Sequence, residues 1–544
     1  MNDSERKGNI MADNRTEQIV KELWAMANTL RGNMDASDFK HYILGFMFYR
    51  YLSEHQEEHL VKTGLVTPTE MQSVNDIYCA EAVGDRLKAY ITHCSRYLGY
   101  AIEPQDTWAS IMVRIENDDM LPSDYQSMFV NFDKHLEKNP GAQKNFEGVF
   151  NKIDLGEKNL GETTSIRART LNALVRKIDG IDYRGENGRD ILGEIYEYLI
   201  GEFAANAGKK GGEFYTPHQV SRVLAKLVTS GRTAGDETFY VYDPTMGSGS
   251  LLLTVRDELP GGENRGAIRF YGQELNSATY NLARMNLMMQ SVSYDNMVLN
   301  GGADTLGPDW PDGPDADGVD HPRMFDAVVA NPPYSAKWDN VESKLKDPRF
   351  SDYGKLAPAS KADYAFILHS LYHLNGEGTM AIVLPHGVLF RGAAEGVIRR
   401  RIIEKNYLDA VIGLPANLFY GTSIPTTILV FRKNRTTRDV LFIDASKDVK
   451  KEKNQNVLTD EHIGRIIETY KARVDVDKYA HVATREEIEG NDYNLNIPRY
   501  VDTFEEEEPI DIEAVMRRLE EDNREIAALE AEIAAQLKLL GVKW

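Results

Sequence analysis

The sequence predicts an α/β protein: a doubly wound, mostly parallel sheet of seven strands, preceded by an all-helical domain and followed by one long helix. Three observations carry this. Short runs rich in β-branched and aromatic residues recur between 239 and 431, most of them separated by helical patterns, and strands alternating with helices build parallel sheets. Before them, apolar residues keep helical spacing with no convincing alternation. After 505, apolar residues return every seventh position. A chain of 544 residues exceeds a single core. The expected divisions are a helical domain over 1–170, the sheet domain over 171–475, and a C-terminal segment with the heptad helix over 476–544.

In the helical domain, Ile19, Leu23, Met26 and Leu30 share one helical face, and Gly32 follows as a C-cap. Asp35 or Ser37 caps the next helix, along which Phe39, Ile43, Phe46, Met47 and Tyr51 recur. The expected strands are FYVYD (239–243), IRFYGQE (268–274), NMVLN (296–300), FDAVVA (325–330), TMAIVLP (379–385), LDAVIGL (408–414) and TTILVF (426–431). The link between the last two, GLPANLFYGTSIP, shows no helix, so the seventh strand is expected to run antiparallel. WPDGPDADGVDHP at 310–322 departs from a compact connection and reads as an acidic surface loop. In the tail, Ile512, Leu519, Ile526, Ile533 and Leu540 form the seam, with Val515, Leu529 and Leu537 at intermediate positions.

Composition narrows the function. The polar start MNDSERKGNIMADNRTEQ has no apolar h-region, and no run reaches the ~18 apolar residues of a membrane span. The two cysteines, Cys79 and Cys94, fit no metal pattern. A reducing cytoplasm without a metal centre is therefore expected. A net charge of −21 opposes solitary DNA binding and points to a local basic face or a more basic partner. EEEEPIDIE at 505–513 carries six of the carboxylates without a base.

The chemistry gathers at strand ends. VYDPTMGSGSLLL (241–253) ends a strand at Asp243, and Gly247 and Gly249 let backbone approach a ligand before a helix starts. Glu274 ends the second strand, where a carboxylate accepts hydrogen bonds from a ribose diol. Asp304 follows the third. Three acids at successive strand ends suggest an adenosine-containing ligand. No phosphate loop accompanies them: AGKKGGE (207–213) has Lys210 where Ser or Thr is required. The fourth strand ends in Asn331-Pro332-Pro333-Tyr334, whose prolines stop the ladder and stiffen the loop.

The order Asp-x-x-x-Gly-x-Gly, acid, Asn-Pro-Pro-Tyr resembles the amino-methyltransferases that use S-adenosylmethionine. An exocyclic adenine amine is a poor nucleophile because its lone pair is delocalised into the ring. The Asn331 oxygen and the Pro332 carbonyl could accept its two hydrogens and draw the nitrogen toward tetrahedral geometry, with the prolines fixing both acceptors. Tyr334 would stack on a base flipped from the duplex. Carbon-5 cytosine chemistry needs a Pro-Cys nucleophile, and neither cysteine follows a proline.

With DASDFKHYILGFMFYRYLSE (35–54) and GGEFYTPHQVSRVLAKL (211–227) added, the chain resembles, from about 15 to about 435, the modification subunit of type I restriction–modification systems. The resemblance implies an adenine-N6 DNA methyltransferase with the methyltransferase sheet. It places Glu213, Phe214, Tyr215, Thr216, Pro217 and His218, with Ser248, Gly249, Ser250 and Glu274, against the cofactor, and 331–334 against the adenine. It also implies double-stranded DNA as substrate, a separate specificity subunit, a second modification subunit and a restriction subunit as partners. Lys209, Lys210, Lys337 and Arg391 are candidates for phosphate contacts. The competing readings are a protein glutamine N5-methyltransferase, a solitary adenine or cytosine-N4 DNA methyltransferase, and a non-catalytic scaffold. The helical domain and tail oppose the first. The second needs a recognition domain that the ~100 residues after 445 scarcely provide.

Overall fold

The computed structural model describes residues 36–182, 193, 195–196, 199–201, 216–232, 237–260, 268–314, 319–419, 422–452, 455–503 and 511–541. The helix expected around Ile19–Leu30 lies outside them. The chain divides into two compact units, Met1–Val501 and Asp502–Trp544.

The helical region is organised around α1 (Ala36–Lys62). Its residues Tyr42, Ile43, Leu44, Phe46, Met47, Phe48 and Tyr49 are all buried, and a helix apolar on every side must sit inside a bundle. α2 (Pro122–Leu136) and α3 (Thr164–Asp179) pack beside it. Rings fill the space between, with Phe129 stacked on Phe150 at 4.6 Å and Tyr49 edge-on to Phe150. The expected boundary at 170 falls inside α3. That helix buries Leu171, Leu174, Val175 and Ile178 in the bundle, and Arg50 Nη1 donates to the carbonyl of Ile178 (2.6 Å). Thr164–Asp179 therefore belongs wholly with the bundle.

Among the described residues the sheet has nine strands: β1 (Phe239–Asp243), β2 (Ile268–Glu274), β3 (Met297–Gly301), β4 (Phe325–Ala330), β5 (Leu374–Pro385), β6 (Leu408–Gly413), β7 (Thr426–Arg432), β8 (Val440–Asp444) and β9 (Ala480–Ala483). Their spatial order is β9-β8-β6-β7-β5-β4-β1-β2-β3. The strands from β3 across to β5 are parallel, and β7 lies antiparallel between β5 and β6. All seven expected strands are present, including the antiparallel seventh. β8 and β9 extend the count, β8 pairing parallel with β6 and β9 antiparallel with β8.

Residues 480–501 belong with the sheet, which moves the expected boundary at 476 to 502. Leu495 and Ile497 are buried, and the Tyr500 ring stacks on Phe442 at 3.9 Å. In the acidic loop, Pro311–Pro314 pairs with Asp320–Pro322 as a small hairpin. Four further helices frame the site: α4 (His218–Val228), α5 (Ser250–Glu258), α6 (Ser277–Met289) and α7 (Asp363–Tyr372). The Tyr51 hydroxyl donates to the carbonyl of Met288 in α6 (2.9 Å), tying the bundle to the sheet layer.

In the second unit, α8 (Ile512–Leu539) starts at Asp511, whose carboxylate accepts from the Ala514 N–H. None of its side chains is buried, and Leu519, Ile526 and Ile533 of the seam are each more than half exposed.

Candidate active site

β1 lies between β2 and β4, with Val241 opposite both Phe270 and Ala327. The carboxyl ends of β3, β2, β1 and β4 therefore line one edge, where ligands of open α/β sheets bind. A cavity of about 500 Å³ opens there.

After β1 the chain turns tightly. Asp243 accepts the Thr245 N–H (2.9 Å), and Gly247 and Gly249 take φ of 56° and 78°. L-residues avoid that left-handed region and glycine enters it freely. Gly249 thereby delivers the chain into α5. Across the turn, Glu274 at the end of β2 accepts the Gly247 N–H (3.1 Å) at one oxygen and the Asn276 N–H (2.7 Å) at the other. Asp304 accepts the Leu306 N–H, and the Thr305 hydroxyl donates to the Pro244 carbonyl. Burial pushes Asp243 up to about 8, with the charge of Glu274 adding to the effect. Burial raises Glu274 as well, opposed by the backbone N–H groups it accepts.

At the end of β4, the Asn331 amide nitrogen donates to Thr216 Oγ1 (3.0 Å). Its oxygen is buried and has no hydrogen-bond partner among the described residues. Buried amide oxygens are nearly always satisfied, so an exception calls for an explanation. The Tyr334 ring meets the edge of Phe419 (6.0 Å), and its buried hydroxyl also lacks a partner among the described residues.

Of the residues predicted from sequence, Thr216, Asp243, Gly247, Ser248, Ser250, Glu274, Asp304, Asn331 and Pro333 line the cavity. Pro332 and Tyr334 are not on the cavity wall. Gly249 shapes the turn without facing the cavity. Pro217 is the N-cap residue of α4 and His218 its first residue, so these two begin a helix. Glu213, Phe214 and Tyr215, like Lys209 and Lys210, lie outside the described residues. Arg391, a candidate phosphate contact, is ion-paired with Asp363 and Glu395.

Sequence reasoning missed Met246, Gln273, Leu275, Asn276, Thr305 and Phe366 on the wall. Leu275 and Asn276 follow the strand-end acid directly, a position that could have marked them. Phe366 arrives on α7 from a distant part of the chain. Asp309, His369 and His373 bring ligand-type atoms within 4.8 Å of one another, but a cation is already there. The Arg349 guanidinium lies 3.2 Å from His369 Nδ1 and 3.7 Å from Asp309. His369 Nε2 meets the Tyr242 hydroxyl (2.8 Å), which also reaches Gln273, so the cluster braces the cavity floor.

The family model described as N-6 DNA Methylase matches residues 187–509, and that of the HsdM N-terminal domain matches 19–178. The chain is 37% identical over 525 residues, 94% of each chain, to the type I restriction enzyme MpnII methylase subunit of Mycoplasma pneumoniae. It belongs to the family of type I restriction enzyme methylase subunits. A second relative of this methylase subunit, the MjaIX methylase subunit of Methanocaldococcus jannaschii, is 28% identical over 96% of this chain and 91% of its own. The crystal structure of a type I restriction–modification system methyltransferase subunit from Streptococcus thermophilus aligns with TM-score 0.81 at 43% identity, covering 90% of this chain and 100% of that one. A modification subunit of a type I restriction enzyme from Vibrio vulnificus shares the fold, with TM-score 0.56 at 19% identity. The methylase subunit is thus a DNA methyltransferase of the N-6 class. Among its described residues no helix is long and apolar enough to cross a membrane.

Proposed function

We propose that this methylase subunit binds S-adenosylmethionine in the strand-end cavity and methylates the N6 amine of an adenine flipped out of double-stranded DNA. The observation that carries this reading is the buried Asn331 oxygen, unsatisfied among the described residues, beside a cavity of about 500 Å³. That volume lies within the ~300–1,000 Å³ of small-molecule sites. S-adenosylmethionine supplies a methyl group on a sulfonium centre that departs as a neutral thioether.

The protein's part is positioning. Thr216 holds the amide nitrogen of Asn331, so the amide oxygen faces the incoming amine and accepts one of its hydrogens. The Pro332 carbonyl accepts the other. Together they shift the amine lone pair out of the ring, and the two prolines keep both acceptors fixed. Glu274 meets the ribose hydroxyls with its remaining lone pairs. Asp304 offers an acceptor to the adenosine amine, and Asp243, protonated when alone, faces the cationic part of the cofactor. Tyr334 stacks on the flipped base.

Site selection belongs to a separate specificity subunit. The net charge of −21 and the unburied apolar seam of α8 both favour a partner that brings the DNA grip and covers the seam. A second methylase subunit and a restriction subunit complete the assembly.

Labelled-methyl transfer to cognate DNA, with the specificity subunit present, tests the site. Asn331→Ala should lower turnover at least ~100-fold while cofactor affinity by calorimetry stays within a few-fold. Turnover near that of the parent would sink the clamp. Truncation after Val501 should leave a folded, cofactor-binding chain that no longer assembles. Full assembly of the truncated chain, measured by light scattering on a sizing column, would remove the tail from the interface.

A further inference from the structure

We infer that Asp363 is a positioning residue for methyl transfer, the anchor that holds the Asn331–Tyr334 loop at a fixed place relative to the cavity wall. The inference rests on the proposed role of Asn331.

Pro332 and Pro333 have no N–H groups, so nothing can tie that part of the loop by its backbone donors. A stiff segment still needs a fixed far end. The N–H of Ser335, just beyond Tyr334, donates to Asp363 Oδ1 (2.8 Å). Ser335 has φ of 52°, a left-handed conformation that a non-glycine residue keeps only where its surroundings enforce it. One residue further on, the Ala336 carbonyl accepts the Ala362 N–H (2.9 Å).

Asp363 is itself fully buried, and a buried carboxylate must be paired. Its second oxygen takes Arg391 Nη2 (2.5 Å). Arg391 is held in turn by Glu395, which is also buried. The carboxylate therefore has no freedom to swing, and neither does the N–H it accepts. Asp363 begins α7, and Phe366 lies three residues on along the same helix face, where it lines the cavity. One rigid helix start thus sets the distance between the cofactor wall and the amine acceptors. Misplacement by about an ångström is enough to cost ~100-fold in rate.

The test uses the full methylase assembled with its specificity subunit. Asp363→Ala should lower kcat ~10- to 100-fold per cofactor-binding molecule, with cofactor affinity within a few-fold of the parent. Arg391→Gln, which keeps a donor for Asp363, should lose clearly less. A role in folding alone would reduce the number of competent molecules and leave the turnover of each unchanged, and that result overturns the inference. A joint collapse of kcat and cofactor affinity overturns it too. If Asp363→Ala does not fold, Asp363→Leu fills the site and removes both acceptors, and unchanged turnover per cofactor-binding molecule there has the same force. Asn331→Ala in the same assay separates the two readings. Turnover surviving in that variant sinks the clamp itself. An inactive Asn331→Ala beside a fully active Asp363→Ala sinks only the anchor.

Discussion

Two turns meet at the cavity, and they are built in opposite ways. The turn after β1 relies on freedom: Gly247 and Gly249 occupy left-handed conformations, and the backbone comes close to whatever the cavity holds. The turn after β4 relies on restriction: two prolines, a left-handed serine and a buried carboxylate leave it one shape. Under the proposed function the difference follows from their tasks. A cofactor must be admitted and grasped along its length, so open backbone and adaptable acids suit that side. An amine must be met at a defined angle by two acceptors, so rigidity suits the other.

The largest effect on cofactor binding is expected on the glycine side, at Glu274. Its carboxylate braces the turn through the Gly247 N–H and caps the next helix start through Asn276. Glu274→Ala should cost on the order of 1.5–3 kcal/mol of cofactor binding, roughly 10- to 150-fold in affinity. Glu274→Gln, with one acceptor oxygen left, should lose less. Calorimetry giving an unchanged affinity for Glu274→Ala would break the assignment of this edge to the ribose.

Gly249 comes next. A Cβ there would meet Leu287 at 3.4 Å, an ordinary contact, so crowding is not what demands glycine. The φ of 78° is. Gly249→Ala should therefore cost roughly 1–2 kcal/mol of stability, with cofactor affinity falling as the turn relaxes. Chemical denaturation that places the variant level with the parent would mean the turn tolerates a side chain, and the contrast between the two turns would weaken.

How much of this was legible in the sequence depends on how local each signal is. The strands were legible because each is a compact apolar run. β9 is four residues at an edge, AHVA, too short for periodicity to show, and β8 follows the charged loop KNRTTRD. The strand-end residues Asp243, Glu274, Asp304 and Asn331 announce themselves by chemistry that a buried strand does not need. Phe366 and Asp363 do not, since a phenylalanine in ADYAFILHSL looks like helix core and an aspartate at a helix start looks like a cap. Only the tertiary fold brings α7 against the loop of Asn331, and the same holds for Thr216 and its hydrogen bond to the amide.

A smaller effect is expected in protons. Asp243 is raised from its ordinary value of 3.8 to about 8, chiefly by burial. The unliganded folded protein therefore holds a proton there that the unfolded chain releases. Between pH 3.8 and about 8 the folded state binds more protons, so this group's contribution to stability declines as pH rises through that window. A cationic cofactor favours the charged carboxylate and lowers its pKa. Binding at pH 7 should release part of a proton, and affinity should rise with pH toward 8. Calorimetry in buffers of different ionisation enthalpy measures the release, and Asp243→Asn should abolish it. A proton count of zero for the parent would show that Asp243 does not face the cation.

The smallest effect is expected on the proline side, at Tyr334. Burial holds its hydroxyl pKa far above the ordinary value, with the nearby Asp363 charge adding to the shift, so the group stays a neutral phenol. That hydroxyl is buried without a partner among the described residues, a state that costs about 1–3 kcal/mol. Tyr334→Phe removes the unsatisfied group and keeps the ring against Phe419, so the variant should equal the parent in stability or exceed it by about 1 kcal/mol. Stacking on a base needs the ring face and not the hydroxyl, so methyl transfer should stay within a few-fold, whereas Tyr334→Ala should lose most of it. A 2-aminopurine at the target position should brighten with the parent and with Tyr334→Phe, and respond weakly to Tyr334→Ala. If Phe and Ala prove equally inactive, the hydroxyl itself acts in the complex with DNA, and the proline turn carries a polar contribution in addition to its rigidity.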